Sequence, residues 1–378
     1  MGGLSLDTIR DDAAFAPLEE EWDTLVRAMP RPSPFLLHAW LRAWWRHYGE
    51  GAQLSVHVAR RDGRLVGALP LVVRRVRGMR VAEFVGGSTS ALADVLLAEG
   101  EDARPLIERA RAERFDYADL FGLPGGSRLA GAAPGLRLVE RVEAPVLELD
   151  RGWETVYAEK TSSKKRNLHK RRRRQLGELG ELRTRVARSE AELAEALEAA
   201  FALYRRRWEG RPDASDFATP RGMAFHRDAI RELARRDVAR IVLLELDGRA
   251  IAFHYYFALA GRMVVHNLAF DPEHARLSPG LVNTLDAIQA AADEGLTRVE
   301  FLGGDERYKL ELADRFEPLS QGLGLAGTPQ GHAVVAARTA AILARRRLKR
   351  SPALKRLYYE GLAPVRRRVA RRAATADE

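Results

Sequence analysis

The stretch that decides the fold is Arg262 to Lys309, RMVVHNLAFDPEHARLSPGLVNTLDAIQAAADEGLTRVEFLGGDERYK. Met263 to Phe270 is β-branched and aromatic, as a strand requires, and Asp271-Pro272 stops it. Ser278-Pro279-Gly280 reads as a helix start, with Ser278 at the N-cap and Pro279 at the first helical position. The capping box is absent, since Leu281 stands where Glu or Gln would complete it. Leu281, Leu285, Ile288 and Ala292 predict one apolar face, and Gly295 closes the helix. Thr297 to Leu302 predicts a second short strand, left through a turn at Gly303-Gly304-Asp305-Glu306. The whole is a β-loop-α-β unit. A helix start of this kind offers unpaired N–H groups and the positive end of the helix dipole, which suits phosphate. Gly280 leaves room for close approach and Arg276 supplies a countercharge. The plainer reading, that Ser-Pro-Gly only starts a helix, stands beside it.

Outward from that unit, the 378-residue chain is long enough for about two domains. It has no cysteine, which excludes disulfides, thiolate metal sites and a cysteine nucleophile, and fits a cytoplasmic setting. The first residues, MGGLSLDTIRDDAAF, carry acids where a secretory signal needs an apolar run. Ile241 to Ala260 is the most apolar stretch, but Glu245, Asp247 and Arg249 interrupt it as a membrane span. The net charge of +10 is concentrated: Lys164 to Arg174 holds eight basic residues and no acid, and residues 338–378 carry a net +10. A mildly acidic body therefore bears two basic segments. These suit an anionic substrate, an anionic membrane surface at the inner face of the membrane, or nucleic acid, or they are solvated helix faces.

Along the chain, the first half reads as a strand and helix before Pro30, then an aromatic helix Phe35 to Tyr48. Leu54–Arg60 and Arg64–Val73 form a hairpin about Asp62-Gly63. Strands are predicted at Val81–Val85, Ala91–Leu97, Tyr117–Phe121 and Val142–Leu149, a helix at Glu101–Arg114, and a loop at Gly125–Gly135. The second half follows the same order: a basic helix Trp153–Leu179, a short strand Thr184–Ala187, and a helix to Trp208 started by a capping box at Ser189 and Glu192. A helix Pro220–Arg236 and a hairpin about Asp247-Gly248 then lead into the opening stretch. This order predicts two α/β modules, residues 1–150 and 151–325, followed by a basic helical tail, 326–378, broken at Pro352 and Pro364.

Gly248-Arg249-Ala250-Ile251-Ala252-Phe253, Phe270-Asp271-Pro272, Leu277-Ser278-Pro279-Gly280 and Glu300 to Lys309 together resemble the acyltransferases of the GNAT superfamily. Among these the sequence is most similar to the CelD/BcsL-like branch (the BioF2-like acetyltransferase domain), linked to bacterial cellulose synthesis and akin to the FemABX peptidyltransferases. Pro34-Phe35 with Trp40 and Trp44, Asp94, and Ser163 to Arg174 also match that branch, whereas Glu300 stands for its usual aspartate. The resemblance covers roughly residues 5–320. It implies an α/β fold of tandem GNAT modules, each a mixed twisted sheet flanked by helices, with acyl-CoA held by the second module and the first degenerate. By the same resemblance, Leu268, Ala269 and Phe270 lie along the pantetheine arm of acyl-CoA, acetyl-CoA above all. Arg276, Leu277, Ser278, Pro279 and Gly280 would cradle its pyrophosphate. Tyr308 would hold the proton for the departing thiolate, and Asp305, Glu306 or His266 would draw a proton from the acceptor. Lys164, Arg166, Asn167, Tyr255 and Lys309 would bind the acceptor, a small or saccharide-linked amine or hydroxyl; no metal is implied. Each side chain also has a plain reading: Asp305 as a cap, Glu306 and Lys309 as a helical ion pair, His266 as a core histidine. Two other classes of function stay open, a non-catalytic double-GNAT scaffold of a polysaccharide machine and tRNA-dependent aminoacyl transfer.

Overall fold

A computed structural model describes residues 3–209, 215–304 and 306–350. In chain order its elements are β1 (Leu4–Ile9), α1 (Asp12–Phe15), α2 (Glu19–Arg27), α3 (His38–Tyr48), β2 (Ala52–Arg61), β3 (Arg64–Val76), β4 (Met79–Phe84) and β5 (Leu96–Leu97). Then come α4 (Arg104–Arg111), β6 (Tyr117–Pro124), α5 (Arg128–Ala132), β7 (Leu136–Glu148), α6 (Trp153–Lys160), α7 (Ser163–Gly177), β8 (Leu182–Ala187) and α8 (Glu190–Trp208). The remainder is α9 (Pro220–Arg235), β9 (Ala239–Leu246), β10 (Arg249–Leu259), β11 (Arg262–Phe270), α10 (Pro279–Asp293), β12 (Arg298–Glu300), α11 (Arg307–Leu312), β13 (Arg315–Gly324) and α12 (Pro329–Arg350). Residues 351–378, with Pro352 and Pro364 of the predicted tail, lie outside the described residues, as does Asp305.

All the described strands join one mixed sheet, in the order β1-β2-β3-β4-β6-β13-β7-β12-β11-β10-β9-β8, with β5 paired to β3. The two halves of the sequence exchange their last strands. β13, from the end of the second half, pairs antiparallel with β6, and β7, from the end of the first, pairs antiparallel with β12. β7 and β13 pair with each other at the centre. Each half of the sheet is thus completed by the other, and α12 closes the first half by seating Val335 against Val81, Tyr117, Val139 and Leu323.

Several elements follow local chemistry directly. Ser189 and Glu192 form the reciprocal capping box that starts α8, and both Asp-Gly hairpins form, β2–β3 and β9–β10, with Asp62 and Asp247 left-handed as such turns require. Four expectations need correction. The predicted loop Gly125–Gly135 contains α5, because Ser127 caps it and the buried Asp94 carboxylate accepts from the Ser127 hydroxyl and the Arg128 and Leu129 N–H groups. The predicted strand at Val142 begins six residues earlier, at Leu136. The basic helix breaks into α6 and α7, since Ser162 is extended and caps α7. Last, the buried face of α10 is Val282, Ala287, Ile288 and Ala291, while Leu281, Leu285 and Ala292 are only partly covered.

A buried ion cluster holds the halves together at the start of the β11–β12 pair. Glu300, 1% exposed, accepts from Arg31 of the first half at 2.5 and 3.0 Å and from Arg262 at 2.9 Å, and pairs with Arg298 at 3.1 Å. Arg262 also donates to the Pro30 carbonyl at 3.1 Å. The mild departure at Glu300 therefore has a role: its carboxylate serves two backbone segments that are far apart in sequence.

Candidate active site

β11 and β12 run parallel for only three register pairs, Arg262↔Arg298 to Val264↔Glu300. Beyond them the strands part. β12 follows β7, with the Phe301 N–H donating to the Pro145 carbonyl, while β11 stays with β10. Among the described residues, 265–270 of β11 therefore have no strand partner on that edge. At the split, the register of β11 on β10 slips between Tyr255 and Tyr256, making His266 the extra residue of a β-bulge. Bulges re-aim side chains, and here His266 faces the opening.

A cavity of about 750 Å³ fills the split. Its walls come from the two cores on opposite faces of the sheet: Phe35, Tyr204, Ala269 and Leu302 from one, Val265, Phe301 and Tyr308 from the other. The cavity thus passes through the sheet. Leu302, left-handed at φ 56°, turns the chain there so that Phe301 and Leu302 serve opposite faces. Strain of this kind is held where surrounding packing fixes it.

On the α10 side, Ser278 is the N-cap by position but not by side chain. It is left-handed (φ 52°, ψ 54°) and its hydroxyl caps nothing, contrary to the expectation for a Ser-Pro-Gly start. Its carbonyl receives the N–H groups of Leu281 and Val282, at 3.0 and 3.2 Å, and Pro279 has no N–H. Among the described residues, the first amide of the helix without a carbonyl acceptor is that of Gly280, which lines the cavity. A Cβ at Gly280 would stand 2.8 Å from Phe270 Cδ1, so the helix start is seated on the Phe270 ring. These features fit a phosphorylated ligand: a glycine amide at a helix N-terminus, beside an open strand edge.

Of the residues expected to hold the coenzyme, Leu268, Ala269, Phe270, Ser278 and Gly280 line the cavity, whereas Arg276, Leu277 and Pro279 do not. Arg276 is exposed, and Leu277 and Pro279 pack inward. Two cations of the described residues line the cavity instead: Lys309, and Arg207 at the end of α8, whose guanidinium lies 4.5 Å from the centre of the Phe270 ring. Tyr204, Trp208, Thr284 and Ala91 also line it and carried no sequence signal of a site, and Phe35, of the Pro34-Phe35 match, lines it too. The triple arginine before Trp208 was the one hint for Arg207.

Of the expected catalytic residues, Tyr308, Glu306 and His266 line the cavity. The Tyr308 hydroxyl is buried and makes no well-formed hydrogen bond among the described residues. Thr284 is its neighbour, but the Thr284 hydroxyl donates to the Gly280 carbonyl at 2.8 Å. Burial and then the Glu306 charge raise the Tyr308 phenol above its ordinary range. Glu306 pairs with Lys309 at 2.9 Å, and the buried Lys309 ammonium also donates to the Gly303 carbonyl at 3.0 Å. Lys309 thereby pins the turn that follows β12. His266 Nε2 is buried without a partner among the described residues, and burial pushes the ring down to about 3. Phe35, Trp40, Tyr255 and Phe257 enclose it, with ring centroids 5.1–5.7 Å away.

Of the residues expected to bind the acceptor, Lys309 lines the cavity and the rest lie elsewhere. Tyr255 is fully buried behind His266. Arg166 donates to the Ala158 and Thr161 carbonyls, fastening α6 to α7. Lys164 and Asn167 are exposed on α7 and do not reach the cavity.

Burial also pushes His38 and His57 down to about 4 and His254 down to about 3. These rings and His266 are neutral when folded, while the unfolded chain protonates them near pH 6.5. The unfolded state then binds more protons, so stability is whole above pH 6.5 and lost as pH falls toward the folded values. Urea midpoints are expected to decline between pH 7 and 5, above the range where most carboxylates titrate; a flat profile would contradict the buried, neutral histidines.

The open split between parallel strands, the helix start on its edge and the repeated half-sheet define a tandem GNAT fold, an acyltransferase fold. Residues 163–310 match the family model of the acetyltransferase (GNAT) domain. The structure is similar to that of FemX (TM-score 0.59, 11% identity, covering 84% of this chain and 98% of that one). It is also similar to a tandem GNAT protein from the clavulanic acid biosynthesis pathway (0.51, 15%, 86% and 99%). A third likeness is to L-PGS from Bacillus licheniformis (0.50, 13%, 80% and 95%). A comparison with curated proteins finds no match. No helix of the described residues is long and apolar enough to cross a membrane.

Proposed function

We propose that the chain transfers an acyl group, acetyl foremost, from acyl-CoA to an amine by direct attack. The observation that carries this is the cavity through the β11–β12 split, lined by Gly280 at the start of α10 and by Tyr308, whose hydroxyl makes no well-formed hydrogen bond among the described residues. When bound, acyl-CoA supplies an activated carbonyl and a thiolate leaving group. The Gly280 N–H and Arg207 face its phosphates. The open edge of residues 265–270 offers N–H groups to the pantetheine amides and the acyl oxygen. As the new N–C bond forms and the C–S bond breaks, Tyr308 gives its proton to sulfur. His266, in the tautomer protonated on Nδ1, takes the proton the amine loses at Nε2. Solvent then returns a proton to the Tyr308 phenolate and takes one from the His266 imidazolium.

Tyr308→Phe is expected to lower kcat by about 10²–10⁴-fold, the usual worth of a positioned proton donor, with little change in KM for acyl-CoA. Steady-state kinetics on the products of an acyl-CoA panel, followed by mass spectrometry, test this. An unchanged kcat would remove Tyr308 from the chemistry.

The motif resemblance supports a narrower reading, a CelD/BcsL-like role in exopolysaccharide or cell-envelope synthesis. A second reading, aminoacyl transfer from a charged tRNA, is favoured by α7. That helix packs on α10 and on residues 272–277, beside the helix start, and it exposes Lys164, Lys170 and Arg171. RNA binding with a steep salt dependence would support that second reading.

A further inference from the structure

The aromatic arm of the cavity narrows the acceptor. Its walls are Phe35 and Ala91 from the first half and Tyr204, Trp208 and Ser215 from the end of α8 and just beyond. Tyr204 and Trp208 stack at 5.9 Å and 30°. The Tyr204 hydroxyl exchanges hydrogen bonds with Ser215, 2.7 Å from its hydroxyl and 2.8 Å from its N–H, so the ring is fixed. Phe35 is set edge-to-face against Trp40 and Phe257, at 5.5 and 5.6 Å. Its segment is fastened to the second half through Arg31 and Glu300. Onto the same cavity the bulge turns His266, whose buried Nε2 has no partner among the described residues.

Fixed aromatic faces favour a flat or ring-shaped body, and a buried ring nitrogen without a partner favours a ligand that brings a hydrogen-bonding group to it. A flexible linear polyamine would lose more conformational freedom and cover these faces poorly. Resting on the acyl-transfer reading, we infer that this arm is an acceptor site for a ring-bearing amine, held between Phe35 and the Tyr204–Trp208 pair and hydrogen-bonded to His266 Nε2. The first half of the chain is then part of the site, as a wall that sets acceptor choice. Amino sugars and aromatic amines share this chemistry.

The test uses the full chain with acetyl-CoA and three acceptors: glucosamine, tryptamine and spermidine. At least one ring amine is expected to be acetylated with kcat/KM tenfold or more above spermidine. Phe35→Ala should raise KM for that ring amine at least tenfold while the acetyl-CoA Kd, measured separately by calorimetry, stays within twofold. Trp208→Ala, at a half-buried position, should do the same and serves if the Phe35 variant does not fold. Preference for spermidine overturns the inference. So does a ring preference untouched by either folded variant, or no transfer to either ring amine from a protein that binds acetyl-CoA. Failure to bind acetyl-CoA at all overturns the transfer reading, and this inference with it.

Discussion

Gly280→Glu is expected to abolish acyl-CoA binding while leaving the fold in place. A Cβ at this position meets Phe270 at 2.8 Å, so the new side chain must displace the ring that floors the helix start. Its carboxylate would then stand where the Gly280 amide now faces the cavity, cancelling the positive end of α10 and repelling phosphate. A loss of affinity beyond about 100-fold, about 2.7 kcal/mol, is expected from calorimetry. An acid in the first helical turn favours the helix by about 0.3–1 kcal/mol, which offsets part of the clash with Phe270. Thermal melting should therefore change little. A Kd within threefold of wild type would place the phosphates elsewhere.

Glu300→Ala is expected to carry the largest cost in stability. Arg31, Arg262 and Arg298 converge on this one buried carboxylate. Glu317 remains as a second partner for Arg31 and Arg298, but not for Arg262. Removing one partner of a buried ion pair typically costs about 3–5 kcal/mol, because uncompensated charge is left behind. The residual pairing to Glu317 puts the expectation near about 3 kcal/mol, read as a lower urea midpoint. Arg31 anchors the segment that carries Phe35, so the variant should also lose acceptor affinity before it unfolds. An unchanged midpoint would show that the cluster does not join the halves energetically.

Most of the second half was legible from local chemistry. Ser189 with Glu192, the Asp247-Gly248 turn, Asp271-Pro272 and Gly295 are short-range signals, and α8, the β9–β10 hairpin, β11 and α10 begin and end where they place them. β13 was not legible. Arg315–Gly324, RFEPLSQGLG, has a proline and two glycines and lacks β-branched residues. Its stability comes from pairing on both sides with β6 and β7, contacts far away in sequence. The strand exchange was hidden for the same reason.

The site divides in the same way. Gly280 and Tyr308 lie in a contiguous motif and could be read from it. Arg276 was the nearest cation in sequence, but Arg207, 73 positions before Gly280, lines the wall in its place. Phe35 and Ala91 reach the cavity only because the two halves share a sheet. Lys309, also in that motif, lines the cavity as well, with its ammonium on Glu306 and the Gly303 carbonyl.

The central claim is that the β11–β12 split, with the Gly280 helix start, holds an acyl-CoA. Calorimetric titration of the full wild-type chain with acetyl-CoA tests it most directly. The account predicts saturable one-site binding in the micromolar range usual for enzyme substrates, roughly 1 μM to 1 mM, weakened when CoA lacks its pyrophosphate. No heat of binding from acetyl-CoA, or equal affinity for acetyl-pantetheine, would contradict it.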